Sequence, residues 1–181
     1  MSHLLARRPR LVLAPGRRTF IRRSAATLTL VLTVVSQTGW QPPVLVPGND
    51  LQPLVARVFE PPASAYGRGH RGVDLHLAPG AEVLAPREGT VTFRGWVAGR
   101  PLVVLQHEDG LRSTLEPVTS TLDVGSQIGA GAVVGHLEAT GTHCAPATCL
   151  HWGVRTPDGA YLDPLALLAR PTAVLLPDEG W

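Results

Sequence analysis

His70-Arg71-Gly72-Val73-Asp74 and, much later in the chain, Cys149-Leu150-His151-Trp152 are the two stretches on which the reading of this sequence turns. His70, Asp74 and His151 supply two imidazoles and one carboxylate, the ligand set of a catalytic zinc that leaves a fourth position open. Residues four apart on an ideal strand share a face, but their Cα atoms stand about 13 Å apart, too far for both to meet one zinc at about 2 Å. Gly72, midway between His70 and Asp74, permits the bend that brings them together. In the second stretch Cys149 and His151 lie two apart and share a face, so Cys149 is expected to look into the same cleft.

Around these stretches the chain is cut into strand-sized runs by glycine and proline. Val83-Leu84-Ala85, Thr90-Val91-Thr92-Phe93, Leu102 to Gln106, Arg112 to Leu115, Ile128, Val133-Val134 and Leu150 to Arg155 are short, rich in β-branched residues and closely spaced. That pattern predicts an all-β antiparallel sandwich or barrel, with no amphipathic helix of ten or more residues competing. Leu54 to Phe59 reads as a strand or a helical turn between Pro53 and Pro61-Pro62. Near the C-terminus Asp163 can cap a short helix that starts at Pro164, continues through Leu165, Leu167 and Leu168, and stops at Pro171.

The charge is unevenly placed. The 181 residues include 16 arginines and no lysine, and seven of those arginines lie in the first 36 residues. From Gln37 onward nine arginines face all 14 acids, a net charge of −5. A nucleic-acid partner is disfavoured, because phosphate binding needs a clustered basic face. Arg17-Arg18-Thr19-Phe20-Ile21-Arg22, followed by the apolar run Ala25 to Val35 and by Ser36, resembles a twin-arginine export signal. Residues 1–36 are therefore expected to direct export to the cell envelope or beyond, with an uncleaved N-terminal anchor as the alternative and the only membrane contact. The run is short of the roughly 20 apolar residues that span a bilayer. Pro42, Pro43, Pro47 and Gly48 mark 37–53 as an irregular linker, 54–170 as the folded domain, and 171–181 as a tail.

Cys144 and Cys149 are the only cysteines. An even count in an exported chain favours a disulfide, which closes a short loop and contributes about 2 kcal/mol by the chain-entropy argument. The competing reading is metal ligation by His143, Cys144, Cys149 and His151. Gly80 to Ala85 and Gly125 to Ala130 share the form Gly-x-x-apolar-x-Ala, and each leads to a second strand, as in biotinyl and lipoyl carrier domains. Those carriers attach their cofactor to a lysine, so this chain cannot serve as one.

From about Val58 to Leu168 the sequence resembles the lysostaphin-like zinc peptidoglycan endopeptidases. The resemblance is carried by Gly69-His70-Arg71-Gly72-Val73-Asp74-Leu75 and Leu150-His151-Trp152-Gly153-Val154-Arg155, and less specifically by Val83 to Pro86, His107 to Thr114, and Val124-Gly125 with Gly135. It implies an antiparallel groove-floored fold, zinc held by His70, Asp74 and His151, and peptidoglycan peptides as the partner. Two further histidines of the family do not carry over. The first residue of its His-x-His pair is Cys149 here, and the histidine of its Tyr-x-His-Leu segment falls at Pro117 within Thr114-Leu115-Glu116-Pro117-Val118. Proline cannot exchange a proton, and neither can a disulfide-bonded cysteine. Replacement of a general base costs about 10²–10⁴-fold and of an oxyanion donor about 10²–10³-fold.

Among substitutes, His143 stands out, because a Cys144–Cys149 disulfide would hold it near His151. His76 shares strand parity with Asp74 but reads as a polar surface residue. His107 reads as structural, and Glu116 as a solvated turn residue with the cleft as its alternative. Two functions follow from the resemblance: a zinc metalloendopeptidase with His143 as acid or base, or a catalytically degenerate module that binds wall peptides or regulates a cell-wall hydrolase. A structural domain without metal is the third.

Overall fold

Alternation of side chains along the strands separates a dry face from a groove face, and that alternation explains most of the architecture. The computed structural model describes residues 39–64 and 67–168; the expected export segment at 1–36, Pro171 and the tail at 171–181 lie outside them. In chain order the strands are β1 (Val55–Arg57), β2 (Val73–His76), β3 (Glu82–Leu84), β4 (Gly89–Val97), β5 (Arg100–Gln106) and β6 (Arg112–Glu116). They continue as β7 (Val118–Thr119), β8 (Gln127–Ile128), β9 (Val133–Leu137), β10 (Cys149–Arg155) and β11 (Tyr161–Leu162), before helix α1 (Pro164–Leu168).

Seven strands form one antiparallel sheet in the order β1-β2-β10-β6-β5-β4-β8, with β11 added to the end of β10. β3, β9 and β7 form a second, three-stranded sheet. The fold is thus all-β with a short C-terminal helix, as the strand spacing predicts. At the start of α1, Asp163 Oδ1 accepts a hydrogen bond from the Leu165 N–H at 3.0 Å, so the expected cap is in place.

The registers show how the faces divide. Val73, Trp152, Leu115 and Val103 are successive partners across β2, β10, β6 and β5, and all four are fully buried. Each such Leu or Val contributes about 1.5–3 kcal/mol by leaving water. One residue along, Asp74, His151 and Glu116 are successive partners on the opposite face. A slip of one residue would turn Trp152 into the groove and His151 into the core, so burial of the dry face fixes the position of the polar one.

The stretch read as a linker is irregular from Gly39, with single turns at Pro47–Asn49 and Gln52–Leu54, as its prolines dictate. It nevertheless belongs to the core, which a free linker would not. Val44 and Leu51 are buried, the Leu84 N–H donates to Pro43 O at 2.7 Å, and Trp40 packs at 6.3 Å from the Trp152 ring.

Candidate metal centre

His70 precedes β2, in an isolated antiparallel bridge with Glu60. Its Nδ1–H donates to Val58 O at 2.7 Å, which fixes the tautomer and turns Nε2 inward. Asp74 lies on β2 and His151 opposite it on β10. Gly72 acts here by the absence of a side chain, because a Cβ at that position would lie 2.4 Å from Trp152 O and 2.8 Å from the His151 ring.

Three donor atoms converge. His70 Nε2 is 3.1 Å from Asp74 Oδ1 and 3.2 Å from His151 Nδ1, and His151 Nδ1 is 2.8 Å from Asp74 Oδ1. Ligands about 2.0–2.1 Å from a tetrahedral zinc stand about 3.3 Å from one another. The protonation pattern fits as well. With Nδ1 of His70 committed to Val58 O, Nε2 is the ring atom offered toward Asp74 Oδ1 and His151 Nδ1, as a metal-ligating imidazole requires. His70 and Asp74 are buried. The donor set is therefore suited to a divalent ion. Burial pushes the Asp74 carboxyl up, but His143, His151 and His70 outweigh it and hold the group well below the usual carboxylate range.

His143 reaches the same point from the loop before β10. Its Nδ1 is 3.5 Å from Asp74 Oδ1, its Nε2 is 3.6 Å from Glu116 Oε1, and it joins His70, Asp74 and His151 in one cluster of donors. The interaction with Asp74 pushes the His143 imidazole up from its ordinary value, against burial and with help from Glu116. The loop is pinned to β10 twice. Cys144 and Cys149 form a disulfide, and Thr142 Oγ1 accepts from the N–H groups of Cys149 at 3.0 Å and Cys144 at 3.2 Å. Metal ligation by the two cysteines is thereby ruled out.

Glu116 departs from its default reading. It is the last residue of β6 rather than a solvated turn residue, only 9% exposed, and lines the groove opposite His151, with Oε2 at 3.5 Å from Arg100 Nε. The long-range pairing of β6 with β10 puts it there, and no local pattern signals that. Pro117, which follows it, is buried and does not line the groove. His76 is exposed at the end of β2 and takes no part in the cluster. His107 is structural: its ring nitrogens bond Glu88 O and Ser113 Oγ, both at 2.8 Å. The cluster opens onto a groove of about 630 Å³ lined by His70, His143, His151 and Glu116, and by the arginines at 57, 71, 100, 112 and 155.

The Mycobacterium tuberculosis protein Rv2891 is 42% identical over 145 residues, which cover 78% of this chain and 55% of that protein, so the chain spans about half the length of this relative. The DD-carboxypeptidase/endopeptidase Mpg of Neisseria meningitidis is 27% identical over 136 residues, covering 71% of this chain and 31% of Mpg. The catalytic domain of the antimicrobial peptidase lysostaphin from Staphylococcus simulans superposes with a TM-score of 0.53 at 24% identity, over 62% of this chain and 90% of that domain, a likeness of fold. Residues 68–164, which contain His70, Asp74, His143 and His151, match the model of peptidase family M23, and the chain belongs to that family.

Proposed function

We propose that this protein is an exported zinc metalloendopeptidase of the cell envelope that binds peptidoglycan peptides and hydrolyses their peptide bonds. The observation that carries this reading is the convergence of His70 Nε2, Asp74 Oδ1 and His151 Nδ1 within 3.2 Å of one another at the floor of an open groove. Zinc held by those three atoms would supply Lewis acidity toward a peptide carbonyl and bring the pKa of water toward about 7. The remaining work falls to the chain. His143, poised between Asp74 and Glu116, holds a proton at the mouth of the centre and passes it to the departing amine. Glu116 orients the imidazole from its far nitrogen, much as a carboxylate steadies a catalytic histidine elsewhere. Arg100, its Nε 3.5 Å from Glu116 Oε2, steadies that carboxylate in the groove. The exported location rests on the twin-arginine-like segment at 1–36.

The disulfide at Cys149 and the proline at 117 support a second reading, a wall-peptide-binding or hydrolase-regulating module that does not cut. Release of new amino termini from purified peptidoglycan by the zinc-loaded protein decides between them. Hydrolysis is expected, and His143→Ala should reduce it about 10²–10⁴-fold. Binding of the wall material without new termini selects the second reading, and undiminished turnover by His143→Ala removes that residue from the mechanism.

A further inference from the structure

The groove runs past the metal centre along β10 and β6, and its far end carries a second cluster that hydrolysis itself does not require. Alternation puts Gly153 and Arg155 on the face of His151, and Thr114 and Arg112 on the face of Glu116. Arg155 and Arg112 are direct cross-strand partners, and both are exposed. Like charges facing each other across an antiparallel pair destabilise it. Neither guanidinium is relieved by an acid, for among the described residues no carboxylate lies in ion-pair range of either. Asp158, on the turn after β10, borders a neighbouring pocket without pairing to Arg155.

Both arginines are instead held by neutral acceptors. Arg112 donates from Nε to Gln106 Oε1 at 2.7 Å, and Arg155 donates from Nε to Gly159 O at 3.0 Å. Those bonds fix the side chains and leave their terminal NH₂ groups for a ligand. Tyr161 braces the cluster, its ring centroid 5.5 Å from Arg155 Cζ and 5.6 Å from Arg71 Cζ. Concentrated positive charge, kept against its own repulsion in a body that carries −5 from Gln37 onward, marks a place for an anion. Planar guanidinium groups fit a carboxylate through paired hydrogen bonds.

We infer that Arg112 and Arg155, braced by Tyr161, form an anion subsite that receives a free carboxylate of the peptide, so that the protein selects acidic peptides. Four residues of strand separate His151 from Arg155, about 13 Å at 3.3 Å per residue. An extended peptide on the groove floor, which side-chain-free Gly153 keeps open, covers that span in about four residues. The carboxylate recognised thus lies three to four residues from the bond at the metal centre. This inference rests on the groove being the peptide-binding face proposed above.

The test uses an acetylated peptide of four alanines followed by glutamate, and the same peptide with both carboxylates amidated. Binding of each to the full zinc-loaded chain is followed calorimetrically. The free acid should bind at least about tenfold more tightly than the amide, as befits hydrogen bonds to a charged group. Arg112→Gln and Arg155→Gln should each shrink that preference to about threefold or less. The double variant Arg112→Glu, Arg155→Glu should instead prefer a peptide ending in lysine amide. Relief of repulsion between the facing cations offsets the one exposed hydrogen bond each variant loses, so the melting temperature of either should stay within a few degrees, and loss of the preference without unfolding separates a ligand site from a structural one. Equal binding of acid and amide, no binding of either, or an unchanged preference in both single variants overturns the inference. The assay reads binding and not cleavage, so a carboxylate preference without cleavage of peptidoglycan would count against the hydrolytic reading alone. Cleavage without the preference would count against the subsite alone.

Discussion

A methyl group at position 72 should unseat His151 and with it the metal. A Cβ there would lie 2.4 Å from Trp152 O and 2.8 Å from both Cε1 and Nε2 of His151, whereas non-bonded carbons settle about 3.5–4.0 Å apart. Relief requires movement of about an ångström. β10 is laddered to β2 on one side and β6 on the other, so relief of the Trp152 O contact must shift the backbone at position 72 away from β10 while the imidazole turns aside. Its Nδ1 then leaves Asp74 Oδ1, now 2.8 Å away, while zinc–ligand distances tolerate only about ±0.2 Å. Zinc affinity of Gly72→Ala should fall at least 10–100-fold, the range seen when the support of a ligand is removed. Overpacking should cost about 1–3 kcal/mol and lower the melting temperature by roughly 3–10 °C. Gly129→Ala is the control, because nothing lies within 4 Å of its Cβ position. Competitive titration with a chromogenic chelator and thermal unfolding give both quantities. Wild-type zinc affinity in Gly72→Ala, or equal losses in Gly129→Ala, would show that the seat of His151 does not depend on the bare Cα at position 72.

Burial pushes the His107 imidazole below its ordinary value of 6.5, only partly opposed by its bond to Glu88 O. The unfolded chain therefore takes up the proton first, so the stability His107 contributes is complete above about pH 6.5 and is lost as the pH falls through the lower folded value. Urea midpoints between pH 7.5 and 5 should drop more steeply for the native protein than for His107→Gln, and equal slopes would contradict this. Reduction of Cys144–Cys149 should cost about 2 kcal/mol, read as a melting-temperature drop of roughly 4–8 °C. An unchanged transition in a sample that titrates two thiols would count against the staple.

The cluster of His70, Asp74 and His151 was legible because its chemistry is written in two short segments, His70 to Asp74 and Cys149 to Trp152, whose spacing restricts what they can bind. The all-β class followed from punctuated β-branched runs. What was not legible depends on long-range register. Glu116 looks like a turn residue before Pro117 until β6 is laid beside β10, and Arg112 and Arg155 are unremarkable until the same pairing sets them face to face. The spacing suggests a bend at Gly72, whereas the contact that forbids a side chain there comes from β10, far along the chain. The prolines of 37–53 announced irregular backbone, yet whether Val44 and Leu51 reach a core is decided by strands that follow them in the chain. β4 runs from Gly89 to Val97, well beyond Phe93, because its outer half pairs with β5 in an exposed hairpin that buries little and so leaves no apolar alternation.

Metal analysis of the purified protein is the decisive test of the centre, through the zinc content of the native chain and of His151→Ala after dialysis against the same buffered zinc. One zinc per native chain and near none in His151→Ala are expected. A native chain without zinc, or a variant that keeps it, would contradict the assignment of His70, Asp74 and His151.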